Sequence, residues 1–146
     1  MIYVTKTHED SKIPTKAHYH DSGFDLYARL DKDKIIYPGE SVVIGTGIKV
    51  AVTEGYVMQI CNRSGLASKH QLFVGAEIVD PGYSNEVFVN LHNLGKLDYT
   101  VKNGDRIAQF LVYQVSANML ELEPESYKTK METFERGMGG FGSSGK

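Results

Sequence analysis

The stretch SVVIGTGIKVAVTEGYVMQIC, residues 41–61, decides the fold class. Its β-branched and aromatic residues gather in runs at 41–44, 48–52 and 56–61, and Thr53-Glu54-Gly55 closes the second run with a turn signal. The same grammar extends in both directions. Pro38-Gly39 precedes the first run. Beyond Cys61, a run at 72–79 ends at Pro81-Gly82, one at 86–92 ends near Gly95, one at 99–102 ends at Asn103-Gly104, and 106–115 follows. Short strands with turns at this spacing predict an all-β sandwich or barrel. Only residues 64–70 read as a helix, two turns at most, and no internal repeat or linker interrupts the pattern.

Composition bounds what such a domain can do. A length of 146 residues, 41% hydrophobic and 23% charged, fits one compact domain with a real core. No apolar run is longer than residues 110–113, which excludes a membrane span, and residues 1–10 lack the basic start and apolar stretch of a secretory signal. A soluble, cytoplasmic or otherwise intracellular protein is expected. Sixteen basic residues against eighteen acidic ones leave a net charge of −2, the wrong balance for broad binding to nucleic acid. Cys61 is the single cysteine, so there is no internal disulfide and no cysteine-rich metal site. Glycine crowds residues 137–146, which have little to pack, so a domain over 1–135 followed by a mobile arm over 136–146 is expected.

Alternation refines the strands. Over 24–30, Phe24, Leu26, Ala28 and Leu30 share one face, opposite Asp25, Tyr27 and Arg29. Over 106–113, one face carries Ile107, Gln109, Leu111 and Tyr113, and a glutamine among apolar neighbours must find a partner. In the tail, Gly137, Gly139 and Gly142 fit GxGxxG by letter, and residues 140–146 fit GxxxxGK. Both patterns grip phosphate only where a strand feeds a helix, and no such helix is predicted here. A glycine strap carrying one cation, Arg136, and one aromatic, Phe141, remains. His18 and His20 could share a strand face, but without a third ligand they read as solvated or core histidines. Cys61 reads as a small buried hydrophobe.

Three segments carry chemistry. Asp80-Pro81-Gly82-Tyr83 predicts a type II turn, which brings a carboxylate beside a phenol ring. Asn62-Arg63-Ser64-Gly65-Leu66-Ala67 ends a strand and opens the short helix, with Ser64 as its N-cap; this is either simple capping or, beside Arg63, an anion seat. Asn103-Gly104-Asp105-Arg106 reads as a hairpin turn.

Taken in order, these segments join a longer series. Ser22-Gly23-Phe24-Asp25-Leu26-Tyr27-Ala28 is followed by Arg63-Ser64-Gly65-Leu66-Ala67, then by Gly75-Ala76-Glu77-Ile78-Val79-Asp80-Pro81-Gly82-Tyr83. Gly104-Asp105-Arg106-Ile107-Ala108-Gln109 comes next, and the last runs from Arg136-Gly137 to Gly140-Phe141-Gly142-Ser143-Ser144-Gly145. In this order the chain resembles the homotrimeric dUTPases, whose five motifs these match across residues 22–145.

The resemblance implies a distorted jelly-roll β-barrel with one short helix and a glycine-rich C-terminal arm. It implies a homotrimer in which each site draws on three subunits, the arm of one closing over another. The implied reaction converts dUTP and water to dUMP and pyrophosphate, clearing dUTP from the nucleotide pool and supplying dUMP for thymidylate synthesis. Asp80 would deprotonate the water that attacks the α-phosphorus, a role that typically contributes about 10²–10⁴-fold. Arg63, Ser64, Gly65 and Gln109 would hold phosphates, with Arg136 reaching in from another subunit. Magnesium would bridge the phosphates, held by Asp25 through water. Backbone groups around Gly75, Glu77, Ile78 and Val79 would read uracil, Tyr83 would pack on the deoxyribose, and Phe141 with Gly142 would close over the base.

A few positions depart from the usual pattern. Glu77 stands where many members have glycine, so its side chain must point away from the base. Asn85, Phe24 and Ser144 are mild changes. A dCTP deaminase shares the fold but uses a glutamate near the third motif, where this chain has the hydrolase arrangement. A non-catalytic jelly-roll module would leave the ordered carboxylate, arginine and glutamine set unexplained.

Overall fold

The structure, a computed structural model, describes residues 2–116 and 119–132. The chain divides into two compact units, Met1–Ser116 and Ala117–Lys146. In the first unit the elements run β1 (Ile2–Lys6), β2 (Phe24–Tyr27), β3 (Lys34–Ile36), β4 (Ser41–Val52), β5 (Tyr56–Cys61), α1 (Ser64–His70), β6 (Leu72–Gly75), β7 (Ile78–Val79), β8 (Glu86–Asn93), β9 (Tyr99–Val101) and β10 (Arg106–Gln114). They form two four-stranded sheets, ordered β1-β4-β8-β6 and β2-β10-β5-β7, and a small β3-β9 pair. Every ladder is antiparallel.

The two large sheets bury one core. Ile44, Val87, Val89 and Leu91 of the first sheet cluster with Leu26, Met58, Ile60 and Phe110 of the second. Each such side chain contributes about 1.5–3 kcal/mol when fully buried, so the sheets are held face to face rather than by ladders around a ring. Among the described residues no ladder joins them, and the expected barrel is an open one.

Several local readings change. The runs at 41–44 and 48–52 are one strand, β4, whose register against β8 shifts between Gly45 and Lys49. Side chains take over there: Thr46 Oγ1 donates to the Val87 carbonyl at 2.6 Å, and the Gly47 amide donates to Glu86 Oε1 at 2.8 Å. The run at 72–79 breaks at Ala76, which has φ +52°, and its halves join different sheets. The turn at 103–106 is not a hairpin, because β9 pairs with β3 and β10 with β2 and β5.

The alternation over 106–113 also fails in an informative way. A register shift between Arg106 and Ala108 against β2 turns both Ile107 and Ala108 inward, after which Phe110 faces the core. Gln109 therefore lies on the face opposite Phe110, where it lines a surface cavity together with Leu111. A bulge of this kind re-aims a side chain where a site needs one.

The second unit contains a helix that the sequence reading did not anticipate, α2 (Pro124–Met131), with Pro124 at its start and Glu125 in its first turn. Residues 136–146, read as a mobile arm, lie outside the described residues.

Candidate active site

A cavity of about 410 Å³ opens beside β2 and β10, lined by Asp21, Asp25, Arg63, Ser64, Gly65 and Gln109 among others. Alternation puts Asp25 on the face opposite Leu26, yet it is only 8% exposed. Two guanidinium groups cover it. Arg63 Nε donates to Asp25 Oδ1 at 2.9 Å, and Arg106 Nη1 donates to Asp25 Oδ2 at 3.2 Å. Arg63 also donates from Nη1 to the Arg106 carbonyl at 3.2 Å, so its fork is held from two sides. Such charge-assisted contacts fix orientation as well as contributing energy.

Arg63 itself caps α1, with extended backbone at φ −90° and no side-chain cap. Ser64 is thus the first helical residue and not the N-cap expected from the sequence. Ser64 and Gly65 are exposed at the cavity wall.

Asn62 is a hub that sequence reasoning missed. Its Oδ1 accepts the Val74 amide at 2.6 Å, and its carbonyl accepts Gln109 Nε2 at 2.8 Å. The Gln109 amide also abuts Gly23, where an added Cβ would stand 2.4 Å from Gln109 Oε1. A side chain at 23 would therefore displace the Gln109 amide. Gly23→Ala should push the Gln109 amide off Asn62 and lower kcat/KM by about 10-fold, with an unchanged circular dichroism spectrum. Arg106 was likewise quoted in the fourth motif without a role. Its partner, Asp25, emerges only from the β2–β10 pairing.

A second group of residues lies elsewhere on the chain. Asp80 to Tyr83 form the expected type II turn, with Gly82 at φ +84° and the Tyr83 amide donating to the Asp80 carbonyl at 3.2 Å. Asp80 is exposed, and among the described residues its carboxylate has no partner. Tyr83 donates its hydroxyl to the Glu86 carbonyl at 2.8 Å. Ile78, Val79 and Tyr83 line a cavity of about 220 Å³ with Ile60, Ala76, Val87 and Phe88. Glu77 does not line it: its carboxylate accepts Gln59 Nε2 at 2.8 Å. Gly75 ends β6 against His92. The structure thus brings together Asp25, Arg63, Ser64, Gly65 and Gln109, and separately Ile78, Val79 and Tyr83. Arg136, Phe141 and Gly142 fall outside the described residues.

The remaining readings are quickly placed. His18 and His20 are exposed in a turn rather than on a strand. Cys61 is half-buried, and burial first and the Glu77 charge second push its thiol pKa up, which makes it a poor nucleophile.

The sequence profile of the dUTPase family matches residues 9–145. The chain belongs to the dUTPase family. Its relatives include two that carry the name deoxyuridine 5′-triphosphate nucleotidohydrolase. That of Solibacter usitatus is 39% identical over 150 residues, covering 100% of this chain and 97% of the relative. That of Mus musculus is 41% identical over 138 residues, covering 94% and 81%. A mutant dUTPase of Staphylococcus bacteriophage 80alpha, solved with dUpNHpp, superposes on this dUTPase with a TM-score of 0.87 at 25% identity, covering 100% of this chain and 99% of that one. The jelly-roll class and the family read from the five motifs both hold.

The donor set around Asp25 limits how this dUTPase could hold magnesium. Each Asp25 oxygen already accepts one guanidinium N–H, and among the described residues no three His, Cys, Asp or Glu side chains cluster. The second lone pair of either oxygen stays open to a water on the ion, and magnesium keeps several of its waters. The residues fit an ion held through water.

Proposed function

We propose that this dUTPase cleaves dUTP at the α-phosphorus, giving dUMP and pyrophosphate, with Asp80 taking the proton of the attacking water. The observation that carries the reading is the single cavity that gathers Asp25, Arg63, Ser64, Gly65 and Gln109 from three separated motifs. Arg63 and the exposed start of α1 offer N–H donors to phosphate oxygens, and Gln109 adds an amide. Donors that Asp25, Asn62 and the Arg106 carbonyl already hold in place need no rearrangement as charge builds on the phosphate. Asp25 would hold a magnesium ion through water, and the ion would supply positive charge to the phosphates.

The site needs more than one copy of the chain. Asp80 and Tyr83 lie outside the phosphate cavity of their own chain, which supports a homotrimer whose sites combine one subunit's cavity with a neighbour's turn. Arg136, Phe141 and Gly142 close the site from an arm spanning residues 136–146, after a body spanning 1–135. Backbone groups of Gly75, Glu77, Ile78 and Val79 read the base. Cytosine would meet them with a donor where uracil has an acceptor, and buried groups left unpaired discriminate by about 10⁴-fold. The reaction removes dUTP and supplies dUMP for thymidylate synthesis, work on an intracellular, soluble nucleotide pool. Among the described residues no helix is long and apolar enough to cross a membrane.

Incubation with dUTP or dCTP in the presence of magnesium tests the reading. Pyrophosphate from dUTP and no ammonia from dCTP is expected. Ammonia from dCTP would assign a deaminase, and inertness toward both would leave only a binding module.

A further inference from the structure

The turn between β6 and β7 carries the backbone that the proposed function assigns to base recognition, and its local supports are weak. β7 is an edge strand of two residues, paired with β5 only at Met58↔Val79 and Gln59↔Ile78. Ala76 stands at φ +52°, a left-handed conformation that costs an alanine energy. Ile78 is 56% exposed, so packing does little to fix this face.

Two contacts compensate. The Ile60 amide donates to the Glu77 carbonyl at 2.7 Å, extending the β5 ladder by one step. On the outer face of β5, opposite the buried Met58 and Ile60, Gln59 Nε2 donates to the Glu77 carboxylate at 2.8 Å.

We propose that Gln59 is a positioning residue for base recognition: its amide grips the Glu77 side chain and fixes the turn whose backbone reads the base. The proposal rests on the dUTPase reading above. Glu77 then has a use of its own in this chain. A glycine at that position would leave the turn held by the backbone ladder alone, whereas the carboxylate adds a second attachment on the side away from the cavity of Ile60, Ala76, Ile78 and Val79. Gln59 touches neither the phosphate cavity nor the base cavity, so it acts only through Glu77.

Gln59→Leu keeps the size of the side chain and removes the donor. The KM for dUTP should rise about 3- to 10-fold, the net worth of one typical hydrogen bond, and the preference for dUTP over dCTP should fall with it. The kcat should hold, because water activation at Asp80 is untouched. Gln59→Lys restores a donor facing Glu77 and should return KM to within about twofold of the parent. Amide hydrogen exchange at residues 76–79 should quicken in Gln59→Leu and not in Gln59→Lys. An unchanged KM, base preference and exchange in Gln59→Leu would overturn the proposal, as would equal losses in both variants. If the parent chain leaves dUTP intact, the dUTPase reading fails instead, and exchange at 76–79 still decides whether Gln59 holds the turn.

Discussion

Asp80→Asn should cut turnover of dUTP by about 10²–10⁴-fold, the range expected when a positioned general base is lost, while a non-hydrolysable dUTP analogue binds as before. The reason is geometric. Pro81 presets the backbone of the turn, Gly82 supplies its positive φ, and the Tyr83 amide closes it on the Asp80 carbonyl. None of these supports involves the carboxylate, so asparagine should occupy the same place with the same shape and no ability to take a proton. Arg63 and Gln109, which the proposed function assigns to the phosphates, are remote in sequence and unaltered, which is why affinity should survive. Steady-state pyrophosphate release beside calorimetric titration of the analogue makes the measurement. Turnover within tenfold of the parent would remove Asp80 from the base role.

The turns that hold this chemistry were legible because they are local. Pro81-Gly82, Thr53-Glu54-Gly55 and the helix at 64–70 are each specified by a few adjacent residues, and each stands where the sequence placed it. Gln109 was legible as an oddity, a polar residue among apolar ones, but Ile107 was wrongly placed on its face. One extra residue of β10 opposite β2 inverts the alternation, and nothing in the β10 sequence announces it. Asn62 and Arg106 were hidden for a related reason: their partners are Val74, Gln109 and Asp25, and only strand pairing brings those close. The break at Ala76 was hidden because alanine carries no signal for a left-handed backbone. Five motifs in one order identified the family where single segments left their alternatives open, and the profile match over 9–145 agrees.

Under the proposed function, the electrostatics of the cavity beside β2 and β10 call for positive charge from outside it. Its lining holds two acidic residues, Asp21 and Asp25, against one cation, Arg63, and that cation is partly occupied by Asp25 and by the Arg106 carbonyl. A triphosphate is a polyanion, so such a cavity binds it weakly without positive charge from outside. Under the proposed function, magnesium would supply one part and Arg136, reaching in from another subunit, would supply another.

Removing residues 136–146 should therefore lower kcat/KM by about 10²–10³-fold, the size seen when a preorganised donor to developing charge is deleted. The fold should not suffer. Among the described residues, every member of the buried core cluster lies within Met1–Ser116, so the melting temperature should stay within a few degrees. Arg136→Ala alone should reproduce most of the kinetic loss, since the missing charge and not the missing length is the main defect. Thermal denaturation and steady-state kinetics of the truncated chain and the point variant, measured side by side, separate the two contributions. Unchanged kinetics in the truncated chain would mean that the cavity meets its charge requirement without the arm, and Arg136 would lose its place in the site.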